Sequence, residues 1–136
     1  MTFVIDASVA LRWFLNEPGA DDAKTCFDRQ QGIAPDFALA EIGNGLWRAH
    51  RRGRIELSKA KAFVTLSTSL YREIVPQIDL QQRSFEIACA LDHAIYDCCY
   101  LALAEMRRVP FFTVDMTLRE KVLPTQWRNL VSVLTP

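Results

Sequence analysis

The chain has 136 residues, 50% of them hydrophobic, and its 16 basic residues balance 16 acidic ones to give a formal net charge of zero. This length predicts one domain, residues 1–136, with enough apolar material for a core that needs no disulfides. The neutral balance excludes a protein that holds nucleic acid by bulk charge, although a local basic patch remains possible, and it favours self-association.

The predicted elements alternate along the chain between short apolar strands and amphipathic helices. The first half contains a strand at 3–5, a helical turn at 9–15, a helix at 18–30, a strand at 33–34 and a helix at 35–52. The second half contains helices at 58–70, 84–91 and 95–107, and strands at 74–75, 111–114 and 131–134. Pro18 and Pro35 are placed at helix starts, and Ser58 is placed as an N-cap. The alternation predicts an α/β fold with three layers, α/β/α, in which helices flank a short parallel sheet.

The cysteines and the N-terminal segment indicate the compartment. The four cysteines form no Cys-x-x-Cys pair and no zinc-site spacing with the two histidines. We therefore expect free thiols in a reducing, cytoplasmic environment. The first residues carry no basic region and meet an acid at Asp6, unlike a signal peptide. The longest apolar run, 98–104, is far shorter than the ~20 residues of a membrane span, so we expect no membrane partner.

Four carboxylates are the candidates for a catalytic site. Asp6 and Asp115 directly follow predicted strands, and ligands of open parallel sheets bind beyond the carboxyl ends of the strands. Asp97 lies in the first turn of its predicted helix, where the helix dipole favours an anion, and Glu41 lies in the second turn of another. Clustered carboxylates repel one another, and a divalent cation removes that repulsion. Mg²⁺ and Mn²⁺ are the expected cations, because they prefer oxygen ligands.

Spacing alone leaves other interpretations of these acids open. Asp6 and Asp115 could serve as helix caps instead of metal ligands. Glu41 could lie on a solvated helix face, and Asp97 could simply complement a helix dipole. Three further acids fit the spacing equally well: Asp36, Asp79 and Asp92.

Four short motifs each contain one of the four acids. They are V-I-D-A-S at 4–8, A-P-D at 34–36 with E-I-G-N-G-L-W-R at 41–48, H-A-I-Y-D at 93–97 running into Y-L-A-L-A-E at 100–105, and T-V-D at 113–115. Their order, together with the third motif, resembles the PIN-domain ribonucleases. Within that family the chain is most similar to the VapC-type toxins of bacterial toxin–antitoxin pairs.

The resemblance implies a PIN-like fold and a defined set of site residues. It assigns the metal site to Asp6, Glu41, Asp97 and Asp115. The ion would be Mg²⁺, which Mn²⁺ could replace, and Ser8 and Thr113 would be hydroxyls that orient the acids. Water activated by the ion would attack phosphorus in RNA, such as tRNA or mRNA, and leave a 3′-hydroxyl and a 5′-phosphate. The resemblance also implies a homodimer and a cognate antitoxin as partner.

An arginine track follows the second motif. On a helix, one line contains Glu41, Gly45, Arg48 and Arg52. We interpret Arg48 and Arg52 as RNA-binding residues, because a guanidinium group binds phosphate through two hydrogen bonds. Gly45 would then allow the phosphate backbone to approach closely. The alternative is a solvated basic turn that complements the helix dipole.

Apolar residues near the N-terminus and on the second motif are candidates for the antitoxin contact. Trp47 lies beside the apolar stripe of its predicted helix and is the stronger interface candidate. Leu11, Phe14 and Leu15 could form a groove for an amphipathic antitoxin helix, although core packing explains them equally well. The two histidines, His50 and His93, are interpreted as structural.

Other functions remain open at this point. The chain could be a DNA-directed or structure-specific nuclease on the same fold, or a catalytically silent module that binds RNA or a protein partner. An aspartyl-phosphate receiver domain also places acids at strand ends. It would normally have paired acids early in the chain and a lysine after a late strand. Here Asp6 stands alone, and Lys121 follows the last acid, Asp115, with no predicted strand between them.

Overall fold

Five short strands and seven α-helices form the regular structure of the residues that the computed structural model describes, which are 2–28 and 30–134. The strands are β1 (Phe3–Ile5), β2 (Gly32–Pro35), β3 (Glu73–Val75), β4 (Phe111–Thr113) and β5 (Val131–Val133). The helices are α1 (Ala7–Phe14), α2 (Ala20–Asp28), α3 (Ala38–Arg51), α4 (Leu57–Ser67), α5 (Gln81–Leu91), α6 (Ile95–Arg107) and α7 (Met116–Val122). A 3₁₀ turn, Gln77–Leu80, precedes α5.

The sheet is parallel throughout, and its strands lie in the order β3-β2-β1-β4-β5. Val4 of β1 pairs with Ile33 on one side and with Phe111 on the other. The chain thus extends the sheet outwards from β1 to β3 and then returns to build the other half from β4 to β5. This reversal creates a switch point between β1 and β4. Parallel sheets bind ligands in the crevice beyond the strand ends at such a point.

Helices cover both faces of the sheet. Neighbouring strand residues point to opposite faces, and Val4 and Ile5 are both 0% exposed. Helix α6 packs across β1, β2 and β4, α5 packs on α6, and α1 contacts β4, α2 and α3. The predicted three-layer α/β/α fold is therefore confirmed.

Helix α6 forms the centre of the core. The apolar run 98–104 lies within it, and all seven of these residues are buried. No single helix within 2–28 and 30–134 is long and apolar enough to cross a membrane. Residues 77–91 and 95–107 reach that length and composition only as a pair bent by 114°.

The start of α3 differs from the prediction. Pro35 was expected to open this helix, but it is the last residue of β2 and pairs with Val75 of β3. Helix α3 therefore begins at Ala38, and Glu41 lies in its first turn, not its second. The sheet pairing, which a local pattern does not reveal, decides the boundary.

Other boundaries also differ. Helix α4 begins at Leu57 with Glu56 as the N-cap residue, so the predicted cap at Ser58 is wrong. Helix α7 was not predicted, because seven residues are too few for a clear periodic pattern. The predicted helix at 18–30 corresponds to α2. Arg29 falls within that range but lies outside the described residues, as do residues 1, 135 and 136.

Gly45 brings α3 close to α1. A Cβ atom at this position would lie 2.7 Å from Leu11 Cδ2 and closer still to Cδ1. The expectation that a phosphate backbone approaches Gly45 is therefore wrong, since the Leu11 side chain occupies that space. The small residue serves helix packing.

Gly45→Ala should be less stable than Gly43→Ala by about 1 kcal/mol, because the Leu11 side chain must shift to admit the added methyl group. Gly43→Ala is the matched control in the same helix. Its Cβ would meet nothing within 4 Å, so it should stabilise α3 by about 0.5–1 kcal/mol. Urea unfolding of both variants measures the difference. If Gly45→Ala is as stable as Gly43→Ala, Leu11 does not restrict this position.

Candidate active site

A cavity of about 300 Å³ opens at the carboxyl edge of the sheet, at the switch point between β1 and β4. The polar and charged side chains that line it are Asp6, Ser8, Glu41, Asn44, Arg48, Asp97 and Asp115. All four predicted acids therefore converge on one space. The three acids that fitted the spacing equally well, Asp36, Asp79 and Asp92, do not line this cavity.

Asp6 and Asp115 reach the cavity because each residue follows a strand and caps the next helix. Asp6 Oδ1 accepts a hydrogen bond from the backbone N–H of Ser8 at 3.1 Å at the start of α1. Asp115 Oδ1 accepts one from the backbone N–H of Leu118 at 3.2 Å at the start of α7. Capping and metal binding are therefore compatible, since the cap uses one oxygen and fixes the direction of the carboxylate.

The hydroxyl of Thr113 joins these two acids. Thr113 Oγ1 donates to Asp6 Oδ2 at 2.8 Å and accepts from the backbone N–H of Asp115 at 3.1 Å. The residue is 0% exposed, so this link is shielded from water. Thr113 thus contacts both acids, and its orienting role stays a prediction.

The hydroxyl of Ser8 lies in a different environment. Ser8 Oγ is buried and makes no hydrogen bond of good geometry within the described part of the chain, although it lies near enough to Asp6 to lower the pKa of that carboxyl. A buried polar atom without a partner is unfavourable, and an orphan of this kind at a cavity wall fits a bound ligand or its water. Ser8 therefore fits a site that holds a hydrated cation.

Glu41 is held by a tyrosine that the sequence analysis did not single out. Tyr100 OH, on the buried helix α6, donates to Glu41 Oε1 at 2.7 Å and accepts from the backbone N–H of Ala7 at 3.3 Å. Tyr100 is 0% exposed. The sequence feature that could have identified Tyr100 is its place within an apolar helical run, because a buried tyrosine hydroxyl requires a hydrogen-bond partner.

His93 also belongs to the site. Its Nε2 lies 2.7 Å from Asp97 Oδ2 and 3.7 Å from Asp115 Oδ2. Sequence reasoning assigned His93 a structural role and missed this contact, although its spacing of four residues from Asp97 was visible. His50, by contrast, contacts the carbonyl of Ile55 at 3.1 Å and does not line the cavity.

Burial and mutual repulsion shift the pKa values of the acids. Burial raises the pKa of Glu41 to about 7 and that of Asp97 to about 6, and the charge of Asp6 contributes to both shifts. Burial likewise raises the pKa of Asp6. Partial burial acts to raise the pKa of Asp115, but hydrogen bonds with Asp97 and the Leu118 backbone hold it below its usual value. An all-oxygen cluster of this kind fits a hard divalent cation, whose charge would stabilise the ionised acids.

The arginines differ in their relation to the cavity. Arg48 lines it, seven residues after Glu41 on α3. Arg52 is the C-cap residue of α3 and does not line the cavity. Arg51 lies over the ring of Trp47, 5.2 Å from its centroid. Of these three arginines, only Arg48 therefore lines the cavity that contains the acids.

The chain is similar to one protein family and to relatives named as ribonucleases. Residues 3–122 match the model of the PIN domain. Ribonuclease VapC3 from Pyrobaculum aerophilum is 27% identical over 124 residues, which cover 89% of this chain and 95% of the relative. Ribonuclease VapC9 from Mycobacterium tuberculosis is 29% identical over 117 residues, covering 86% of this chain and 88% of the relative.

Two solved structures share the fold. The crystal structure of PAE2754 from Pyrobaculum aerophilum has a TM-score of 0.72 and 18% sequence identity, over 98% of this chain and 90% of that one. A toxin–antitoxin complex from Klebsiella pneumoniae has a TM-score of 0.63 and 17% identity, over 84% of this chain and 87% of that one. At these identities the likeness supports the fold alone.

Without metal, the protein should lose stability as the pH rises from about 4.5 to about 7. The pKa of Glu41 rises from its ordinary value of 4.5 to about 7 in the folded protein. Between these pH values the unfolded chain releases a proton that folded Glu41 retains, so raising the pH favours the unfolded state. Glu41→Gln keeps an acceptor for Tyr100 and removes this titration. The variant should therefore gain stability relative to wild type as the pH rises.

Urea unfolding in a chelator at about pH 5 and about pH 8 measures this effect. Glu120→Gln, an exposed acid on α7, is the control. An equal difference between Glu41→Gln and wild type at the two pH values would contradict the raised pKa of Glu41.

Proposed function

Because the chain belongs to the PIN-domain family and its four acids line one cavity, we propose that it is a divalent-cation-dependent endoribonuclease of the VapC toxin type. The observation that carries the proposal is the convergence of Asp6, Glu41, Asp97 and Asp115 at the sheet's switch point. The relatives named as ribonucleases support RNA as the substrate class. A Mg²⁺ or Mn²⁺ ion held by these acids would supply charge to polarise a phosphoryl oxygen and lower the pKa of water.

The protein's own residues would hold and orient the reacting groups. Thr113 and the two helix caps fix the carboxylates of Asp6 and Asp115, and Tyr100 fixes Glu41. Arg48 would bind an RNA phosphate at the cavity wall, and Arg52 would bind the phosphate of a neighbouring nucleotide. A water molecule oriented by the acid cluster is the proposed nucleophile, so the products should carry a 3′-hydroxyl and a 5′-phosphate.

Asp97→Asn should reduce RNA cleavage by more than about 100-fold, because the amide removes one negative charge from the cluster that holds the cation. The same variant should lose most of the rise in melting temperature that Mn²⁺ gives the wild type. Asp92→Asn is the matched control, since Asp92 lies outside the cavity and its φ of 51° suits asparagine. Circular dichroism verifies that both variants are folded.

A substrate panel separates the alternatives. Single-stranded DNA, tRNA and mRNA are incubated with the protein and Mn²⁺, and the product ends are determined. Cleavage of DNA at the rate of RNA would favour the DNA-directed nuclease. RNA binding with neither cleavage nor stabilisation by Mn²⁺ would favour the silent module. Normal RNA cleavage by Asp97→Asn would contradict the proposed mechanism.

The proposed antitoxin partner would bind a groove between α3 and α4. This groove has a volume of about 470 Å³, and Trp47, Leu57 and Val64 line it while remaining 53%, 51% and 44% exposed. Such a surface fits the apolar face of an amphipathic helix. Since Trp47 is adjacent to Arg48 on α3, a partner bound there would lie beside the substrate cavity. The alternative groove residue Phe14 is 3% exposed and stacks on Phe63, which supports core packing.

Trp47→Ser should weaken binding of the antitoxin encoded beside this protein by about 2 kcal/mol, or roughly 30-fold in Kd, because an exposed tryptophan in a groove is a typical binding hot spot. RNA cleavage by the free protein should be unchanged. Leu123→Ser, an exposed leucine beyond α7, is the control. Calorimetry measures both affinities, and equally tight binding by Trp47→Ser and wild type would exclude this groove.

A cytoplasmic homodimer completes the proposal. The zero net charge and three exposed apolar side chains support self-association, namely Ile78, Phe85 and Tyr96 at 80%, 61% and 62% exposure. The four cysteines are free, which suits a reducing compartment. Light scattering after size exclusion tests the dimer.

A further inference from the structure

His93 provides a nitrogen atom beside two of the four acids, Asp97 and Asp115. We propose that His93 is a direct ligand of the bound cation, together with Asp97 and Asp115, and that the site therefore prefers Mn²⁺ to Mg²⁺. This inference rests on the proposed cation site. It goes beyond that proposal by adding a ligand and by ranking the two metals.

The distances between the three residues are those of ligands around one ion. One ligand atom from each of His93, Asp97 and Asp115 lies within 4.8 Å of the other two. Nε2 of His93 is 2.7 Å from Asp97 Oδ2 and 3.7 Å from Asp115 Oδ2. At metal–ligand distances of about 2.1 Å, neighbouring ligands of an octahedral ion are about 3 Å apart. Small movements would therefore let all three atoms contact one cation.

The backbone holds His93 in place before any cation binds. Its N–H donates to the carbonyl of Ala88 at 3.2 Å, and the preceding residue, Asp92, adopts a left-handed conformation that ends α5. Lys121 of α7 donates to the carbonyl of Asp92 at 2.6 Å. The His93 side chain is only 10% exposed. The ring is thus positioned by α5 and α7, which favours a role as a preorganised ligand.

A nitrogen ligand changes which metal the site prefers. Mg²⁺ prefers oxygen ligands and near-ideal octahedral geometry, whereas imidazole suits transition metals. Replacing one oxygen by the Nε2 atom of His93 therefore favours Mn²⁺. A purely positioning role, in which His93 donates a hydrogen bond to Asp97, would support both ions equally.

Binding of Mn²⁺ and of Mg²⁺ to the metal-free protein, each measured alone by calorimetry, separates these roles. His93→Gln retains an amide that can donate to Asp97 but removes the imidazole. We expect its affinity for Mn²⁺ to fall roughly tenfold or more, while its affinity for Mg²⁺ changes by less than about threefold. His50→Gln is the matched control, because His50 is the other histidine and contacts the carbonyl of Ile55 instead of an acid.

Pulsed electron paramagnetic resonance on the Mn²⁺ complex gives a direct readout. Wild type and His50→Gln should show nitrogen coupling to Mn²⁺, and labelling the histidines with ¹⁵N should change it. His93→Gln and His93→Asn should lack the coupling, and circular dichroism verifies that they are folded.

Two results would overturn the role of His93: wild type without nitrogen coupling, or equal losses of Mn²⁺ and Mg²⁺ affinity in His93→Gln. These results leave the proposed nuclease intact if the wild type binds cations and cleaves RNA. If the wild type binds neither cation, the proposed metal site and this inference both fail.

Discussion

Repulsion between four carboxylates in one small cavity is the constraint around which the surrounding structure is arranged. Asp6 and Asp115 come from neighbouring strands, and Thr113 holds them in register through one hydroxyl. Backbone N–H groups at two helix starts stabilise the same acids. Burial nevertheless raises the pKa of Asp6, so these hydrogen bonds offset the cost of burying its charge only in part. Under the proposed function, a divalent cation would stabilise the ionised cluster further.

Two buried tyrosines form hydrogen bonds at or next to residues of the cavity. Tyr100 connects Ala7 and Glu41, and its ring stacks on Phe111 of β4 with centroids 5.6 Å apart. Tyr71 OH donates to the carbonyl of Ile5 at 3.1 Å. Burial raises the pKa of both tyrosines well above the usual value, so their hydroxyls remain neutral donors. Glu41 is thus held by an uncharged group that does not compete with a cation for its negative charge.

Helix α3 connects the cavity with the apolar groove. Its first turn carries Glu41, Arg48 lines the cavity two turns later, and Trp47 faces the groove shared with α4. Ile42 and Leu46 are buried on the remaining face. Gly45 permits the close contact with α1 that fixes the helix. Under the proposed function, substrate and antitoxin would therefore act on adjacent residues of one rigid element.

The amino-acid sequence by itself determined the class of fold and much of its order. Local apolar runs predicted β1, β4 and β5, and helix periodicity predicted α6 with its observed bounds, because both signals depend on neighbouring residues. The strand-end positions of Asp6 and Asp115 were visible in the same way. The choice of Glu41 and Asp97 over other acids came from the resemblance of the motifs to a family.

Only the tertiary structure decided which side chains meet. The Thr113–Asp6 bond joins residues 107 positions apart, and the Tyr100–Glu41 bond spans 59. Pro35 became a strand residue because it pairs with Val75, and Leu11 closed the space over Gly45. The spacing of His93 from Asp97 was visible in the sequence, but its contact with Asp115 depends on the tertiary structure. Such contacts arise from the order of strands in the sheet and the packing of helices on it, which no local pattern encodes.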